Sequence, residues 1–148
     1  MEEKVKILYH QSAEQANIGP EEAAAAWIEL QLKYPDTELV SPATAGVDTD
    51  WFDAFMAECE ILGCRIDYLA THHYTAASAD QMMKLLKNYS DRYGGRKIWF
   101  TEFAMAKSHD EDAIIDYISD LLPQLEHSDF IHKYSWFISR YYEVEILS

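Results

Sequence analysis

The stretch that decides the fold is residues 66–103, IDYLATHHYTAASADQMMKLLKNYSDRYGGRKIWFTEF. It begins with a β-prone run, IDYLA, and ends near a second one, KIWF. Between them lies a helical pattern that Ser78 can cap at its start and Gly94-Gly95 can end. Because two strands joined by one crossover helix must be parallel, this stretch predicts a βαβ unit.

The alternation of strands and helices continues on both sides of this unit. Upstream, Val5–Tyr9 predicts one strand, and the run Glu38–Pro42 predicts another that its proline ends. Downstream, Ile131–Ile138 predicts a further strand. Successive strands start roughly 30 residues apart, which is the size of a βαβ unit. The chain is therefore predicted to be a single α/β domain over residues 1–148, a parallel (β/α) repeat of about five strands and four helices.

Several residues predict where the other helices begin and end. Pro20 suits the first position of a helix, and Asp50 can cap the next one. Ser108 and Glu111 have the spacing of a capping box for the last helix. Pro123 lies within that helical pattern and is expected to kink or end it.

Two architectures fit this order of elements. One is an open, doubly wound sheet, for which about five strands are ordinary. The other is part of a (β/α)8 barrel, which needs about 250 residues to close. The spacing of the elements does not choose between them.

Composition and charge exclude several classes of partner. The chain has 12 basic and 26 acidic residues, a net charge of −14, which argues against nucleic acid and against an anionic membrane surface. Hydrophobic residues make up 49%, enough for a buried core, yet no apolar run approaches the ~20 residues that span a bilayer. The start, Met1-Glu2-Glu3-Lys4, does not resemble a signal peptide, so the chain as written is expected to be cytoplasmic.

The two cysteines, Cys59 and Cys64, do not form a recognised motif. Their spacing is too wide for a redox CxxC motif, and the chain has no second pair to complete a zinc site. The sequence favours two buried, apolar thiols. A local disulfide, which would require an oxidising compartment, is the alternative.

Polar and aromatic residues follow three of the predicted strands. His72 and Tyr74 are two residues apart and share one face of an extended segment, Glu102 lies in the aromatic run WFTEF, and Trp136 lies in YSWF. Acid, imidazole, phenol and indole groups at converging strand ends form a sugar-binding constellation. The alternative for each aromatic residue is ordinary core packing. That alternative is weaker for Glu102, because a buried charge is costly unless it is paired or used.

No motif indicates a cofactor or a metal ion. The sequence contains neither GxGxxG, GxxxxGK nor GxSxG, which removes the main support for nucleotide binding and serine hydrolysis. Among the six histidines only His72 and His73 are adjacent, and neighbours on a strand face opposite ways. We therefore predict no cofactor and no metal site.

From about Gln15 to Phe137 the chain resembles glycoside hydrolase family 128, whose characterised members are endo-β-1,3-glucanases. The blocks that carry the resemblance, in the order of the family, are QANIGPEEAAAAW, LVSPATA, WFDAFMAECEILGCRIDYLATHHY, KIWFTEFAM and KYSWF. The resemblance implies a partial (β/α)8 TIM barrel corresponding to strands four to eight. It also implies β-glucan or an oligosaccharide as partner. A secreted or cell-wall location is implied if N-terminal sequence is missing.

The resemblance also implies roles for individual residues. Glu102 matches the nucleophile after the seventh strand. His72 and Tyr74 match the pair that orients this nucleophile and borders the sugar subsite. Trp136 matches the aromatic residue of the eighth strand that supports the sugar, and Trp99, in the same strand as Glu102, is a further candidate for substrate binding.

The sequence departs from the family where the acid/base is expected. The family places Asn-Glu-Pro at the end of the fourth strand, whereas this chain reads LYHQSAE over residues 8–14. No acid/base residue is identified, so the interpretation is a hydrolase-like chain that keeps the nucleophile half of the site. The alternatives are a non-catalytic half-barrel that binds glucan or has a structural role, and a truncated product of an active enzyme gene. Exposed sheet edges would favour a homo-oligomer or pairing with a missing N-terminal half.

Overall fold

The computed structural model describes residues 18–45, 49–75, 78–105 and 110–137, in which four helices alternate with four parallel strands. The elements are α1 (Pro20–Lys33), β1 (Val40–Ala45), α2 (Thr49–Leu62), β2 (Tyr68–Thr75), α3 (Ala79–Arg92), β3 (Ile98–Met105), α4 (Glu111–Glu126) and β4 (Ile131–Trp136). The strands lie in the order β1-β2-β3-β4, and this sheet is not closed. The predicted α/β partial barrel is confirmed, while the predicted strand Val5–Tyr9 lies outside the described residues.

The two faces of the sheet are covered differently. The helix-facing side holds the larger core, where apolar residues from all four helices pack against strand residues such as Leu69, Ile98 and Phe100. The opposite side carries a small layer made only of strand residues, namely Val40, Ala43, Ala70 and Trp99, with Tyr68 against it. None of the helices within the described ranges is long and apolar enough to span a membrane.

Several predicted helix boundaries are confirmed. Pro20 occupies the first turn of α1. Ser78 caps α3 through a capping box in which its hydroxyl accepts from the Gln81 N–H and the Gln81 side chain accepts from the Ser78 N–H. Gly94 and Gly95 follow α3 with φ angles of 81° and 73°, a conformation that a side chain would disfavour.

Pro42 and Pro123 do not end their elements. The predicted end of the strand at Pro42 is wrong, and of the two alternatives predicted for Pro123, a kink or an end of the helix, the end is wrong. β1 continues through Pro42 to Ala45, because Pro42 lies at a register irregularity on the edge strand of the described sheet, where its missing N–H breaks no ladder bond that the strand needs. Pro123 lies inside α4, which continues to Glu126. The proline is in the last turn of the helix, and the chain beyond it remains anchored by a hydrogen bond from the His127 N–H to the Pro123 carbonyl.

Two predicted caps are also shifted by a residue or two. α2 begins at Thr49, so Asp50 lies within its first turn, where a carboxylate still complements the helix dipole. α4 is capped by Asp110, whose carboxylate accepts hydrogen bonds from the N–H groups of Asp112 and Ala113. Ser108, the predicted cap, lies outside the described residues.

Cys59 and Cys64 form a disulfide, so the prediction of two free thiols is wrong. α2 ends in a turn in which Gly63 has a φ of 77° and the N–H groups of Gly63 and Cys64 both donate to the Cys59 carbonyl at 2.9 Å. This turn folds the chain back and leaves the two cysteine Cα atoms 4.8 Å apart, within disulfide range. Spacing along the sequence could not show this reversal.

Candidate active site

An irregularity in the pairing of β2 with β3 determines where Glu102 lies. Thr71 pairs with Phe100, but His72 pairs with Glu102, so β3 has one extra residue at this point. Phe100 and Phe103 are both buried in the helix-facing core and stack with ring centroids 4.5 Å apart. Two residues, Thr101 and Glu102, therefore lie between Phe100 and Phe103, whose side chains share a face. A regular strand would place only one residue between two such side chains. Bulges of this kind re-aim side chains, and here Glu102 joins the face of β2 that carries His72 and Tyr74.

Two hydrogen-bond donors converge on one carboxylate oxygen of Glu102. His72 Nδ1 lies 3.1 Å from Oε2, and the Tyr74 hydroxyl donates to the same oxygen. His72 is only 5% exposed, and the Glu102 side chain is 18% exposed. The structure thus brings together three of the five predicted site residues, at the C-terminal ends of adjacent parallel strands.

The protonation states follow from burial. Removal from water raises the pKa of Glu102 and of Tyr74 and lowers the pKa of His72. At neutral pH the imidazole is therefore uncharged and the phenol keeps its proton. When Glu102 is ionised, a neutral imidazole can donate to it only if its proton is on Nδ1. Two uncharged groups, the imidazole and the phenol, thus meet one oxygen of a Glu102 carboxyl group whose pKa burial raises.

Trp136 is not brought together with Glu102. Its ring packs edge-on against Phe103, at a centroid distance of 5.4 Å, on the helix-facing core where Tyr134 also packs. The next residue, Phe137, is 40% exposed and lies against Tyr74, with ring centroids 5.9 Å apart. Sequence reasoning missed Phe137, although strand alternation could have found it. Tyr134 and Trp136 are two residues apart and share the helix-facing side of the sheet, so Phe137 lies on the opposite side.

Trp99 is likewise separate from the group around Glu102. It lies near the start of β3 and is only 5% exposed. Its neighbours are Tyr68, His132 and Lys133, whose ammonium nitrogen lies 4.4 Å from the centre of the indole ring. The contacts of Trp99 are therefore those of a packed residue at the N-terminal end of the strand.

The sequence matches the family model described as glycosyl hydrolase catalytic core over residues 10–146. This match covers most of the chain, which therefore belongs to that family. The comparison with curated protein sequences gives no match.

Among solved structures, the chain is similar to members of glycoside hydrolase family 128. The chain is 28% identical to a subgroup II endo-β-1,3-glucanase from Sorangium cellulosum, with a TM-score of 0.78 over 95% of this chain and 61% of that one. It is also 28% identical to a subgroup I endo-β-1,3-glucanase from Amycolatopsis mediterranei in complex with laminaritriose, with a TM-score of 0.78 over 88% and 61%.

A curdlan-specific subgroup III exo-β-1,3-glucanase from Blastomyces gilchristii, in complex with glucose, is 29% identical. Its TM-score is 0.72, and the match covers 84% of this chain and 56% of that one. The family therefore includes exo-acting enzymes as well as the endo-acting ones expected from the resemblance. The chain thus has the fold of family 128 catalytic domains but spans less than two thirds of the length of these structures.

Proposed function

We propose that this chain carries the nucleophile half of a retaining β-1,3-glucan hydrolase site, with Glu102 as the nucleophile. The observation that supports the proposal is the convergence of His72 Nδ1 and the Tyr74 hydroxyl on Oε2 of Glu102. Two donors fix the plane of a carboxylate and hold it in the orientation for attack, and preorganisation of this kind is a large part of enzymatic rate enhancement.

In the proposed reaction, the Glu102 carboxylate forms a bond to the anomeric carbon of a glucose unit. The glycosidic C–O bond breaks, and its electron pair leaves with the departing oxygen, which takes a proton from an acid. Water then attacks the same carbon, its proton passes to the conjugate base of that acid, and the bond to Glu102 breaks to release the carboxylate. Retaining enzymes supply this acid from a second carboxyl group about 5–5.5 Å from the nucleophile. Because the sequence contains no Asn-Glu-Pro motif, we assign no acid/base residue.

The substrate we propose is β-1,3-linked glucose. Its support is the identity of the relatives, which include an enzyme crystallised with laminaritriose and an enzyme described as curdlan-specific. The group around Glu102 is compatible with a neutral sugar, because its polar groups are one carboxylate and two uncharged donors that can also meet sugar hydroxyl groups.

The Cys59–Cys64 disulfide supports an oxidising compartment for this reaction rather than a reducing cytoplasm. Blocking of free thiols, followed by reduction and mass spectrometry of the protein taken from its natural source, would test this. Labelling of both cysteines before reduction would contradict an oxidising location.

The test of Glu102 uses a substrate that needs no acid. A 2,4-dinitrophenyl 2-fluoro-β-laminaribioside loses its phenolate without protonation, and its fluorine slows release of the sugar from the enzyme. We expect the mass of the chain to increase by one fluorinated laminaribiosyl group and peptide mapping to place that group on Glu102.

The control for this experiment is Glu102→Gln, which keeps the size of the side chain and removes the nucleophile. We expect no labelling of this variant. A label on another carboxylate would contradict the assignment of Glu102. Binding of laminari-oligosaccharides with no label after long incubation would replace the catalytic proposal with a binding role.

A further inference from the structure

Two exposed aromatic rings flank the candidate nucleophile. Six large hydrophobic side chains are exposed among those the structure describes, and four of them are aliphatic. The other two are Tyr74 and Phe137, each 40% exposed. Exposure of an aromatic ring forgoes the burial of a large apolar surface. Two such rings in contact with each other, beside the Glu102 carboxyl group, therefore form a candidate contact surface for a ligand.

Both rings are held in position relative to Glu102. The Tyr74 hydroxyl donates to the Glu102 carboxylate, and the Tyr74 ring meets the Phe137 ring edge-to-face at 5.9 Å with an interplanar angle of 76°. The Phe137 N–H donates to the carbonyl of Phe103 at 3.0 Å, and Phe103 directly follows Glu102 in β3. Phe137 is therefore tied to the nucleophile through the backbone on one side and through Tyr74 on the other.

An edge-to-face pair suits the binding of a pyranose ring. In such a pair the edge of one ring covers a single face of the other, and the remaining ring faces can contact a ligand. The C–H groups of a glucose ring carry a small positive charge and are attracted to the negative face of an aromatic ring, while the hydroxyl groups around the ring rim stay available for hydrogen bonds.

The geometry points to Tyr74 and Phe137 as the aromatic platform that holds a glucose unit beside Glu102, with Phe137 in the role that the sequence suggests for Trp136. This inference rests on the proposed function, because it takes its ligand from that proposal. Trp136 lacks the required surroundings, since it packs against Phe103 on the helix-facing core.

The test is the affinity of the full chain for laminarihexaose, measured by isothermal titration calorimetry. Phe137→Ala removes the ring, and we expect the affinity to fall about tenfold, as for the loss of one stacked aromatic contact. Phe137→Tyr keeps the ring and should restore most of this affinity. Ile115→Ala is the matched control, because Ile115 is 59% exposed on α4 and its truncation removes an exposed apolar side chain elsewhere.

Trp136→Phe tests the rival assignment while it keeps an aromatic ring against Phe103. The inference is supported if Phe137→Ala weakens binding and both Phe137→Tyr and Ile115→Ala bind like the wild-type chain. It is overturned if Phe137→Ala binds like the wild-type chain, or if Trp136→Phe weakens binding as much as Phe137→Ala does. Circular dichroism melting of each variant separates lost contacts from lost fold.

The two proposals can fail separately. Labelling of Glu102 by the fluorinated substrate, together with unchanged affinity in Phe137→Ala, would overturn the platform and leave the nucleophile in place. Failure of the wild-type chain to bind laminarihexaose would overturn the platform whatever the labelling result. Binding that depends on Phe137, with no label on Glu102, would support the platform and contradict the catalytic proposal.

Discussion

Two groups of aromatic and polar side chains lie at opposite ends of the strands. The basal cluster, at the N-terminal ends, comprises Tyr68, Trp99, His132 and Lys133. The rim cluster, at the C-terminal ends, comprises His72, Tyr74, Glu102 and Phe137. Both clusters combine aromatic rings with a charged residue, yet their rings are used differently.

In the basal cluster the rings cover one another. Tyr68 and His132 stack at a centroid distance of 4.3 Å, and Trp99 is almost fully buried beneath its neighbours. In the rim cluster the Glu102 carboxyl group is mostly buried and the rings of Tyr74 and Phe137 remain exposed. Aromatic content alone therefore does not distinguish the two ends of the sheet. Of the two clusters, only the rim cluster places a mostly buried carboxyl group beside exposed rings, and it lies at the C-terminal ends of the strands, where ligands bind in parallel α/β folds.

The largest expected effect is that of removing the central ring of the basal cluster. Trp99→Ala should lower the free energy of unfolding by about 3–5 kcal/mol, because it leaves a cavity in a buried layer. Phe137→Ala, at the exposed rim, should cost about 1 kcal/mol or less. Chemical denaturation measures both values. Equal losses of free energy of unfolding would contradict the difference in burial between the rings of the basal cluster and those of the rim cluster.

The second prediction concerns the hydroxyl groups of the two tyrosines. Tyr74→Phe removes a hydrogen bond to a carboxylate and should slow labelling of Glu102 by about 10- to 100-fold. It should also move the rise of the labelling rate to higher pH, because the lost donor favoured the ionised form of Glu102 and its removal raises the pKa. Rates measured as a function of pH test both effects.

Tyr68→Phe is the matched control for this experiment. Its hydroxyl donates to Glu38 at 3.0 Å in the basal region, so its loss should leave the labelling rate and its pH profile unchanged. A slowdown of similar size in both variants would mean that the effect comes from general loosening of the sheet.

The third prediction separates stability from site chemistry. The disulfide joins residues five apart, and chain entropy for so short a loop corresponds to about 2 kcal/mol. Replacing both Cys59 and Cys64 by Ala should therefore lower the free energy of unfolding by about this amount. Both residues pack with the helix-facing core, away from the rim cluster, so the labelling rate at a temperature where the variant is folded should not change. A slower rate would show coupling between the disulfide and the rim cluster.

The smallest expected effect is a pH-dependent change in stability at Glu102. Burial raises its pKa above the usual value of 4.5, so between 4.5 and the raised pKa the folded state binds more protons than the unfolded state. The free energy of unfolding falls as pH rises through this window. Glu102→Gln lacks this loss, so its free energy of unfolding relative to that of the wild-type chain should rise as pH increases through this window.

A second titrating group, His72, affects the stability of both proteins over the same pH range. Burial lowers the pKa of His72 below 6.5, so His72 contributes stability that increases with pH below that value, the opposite sign to Glu102. Because His72 is present in both proteins, most of its contribution cancels in the difference. Urea denaturation from pH 4 to pH 8 measures the difference in free energy of unfolding between the two proteins. A difference that does not change with pH would contradict the burial of Glu102.

The sequence by itself determined the alternation of strands and helices and the position of Glu102, His72 and Tyr74 at strand ends. These features follow from local signals, such as the Ser78 cap, the glycines after α3 and the two-residue spacing of His72 and Tyr74. Local signals failed where an element is stabilised by packing rather than by propensity. The helix that continues past Pro123 and the strand that continues through Pro42 are examples.

The tertiary structure alone decided which side chains meet. The extra residue in β3 turns Glu102 toward His72, the turn after α2 brings Cys64 back to Cys59, and the exposed ring beside Tyr74 is Phe137. The physical reason is that strand register and contacts across the sheet depend on residues roughly 30 or more positions apart, the span of a βαβ unit. A shift of one residue in such pairing moves a side chain to the opposite face, and no local pattern records that shift.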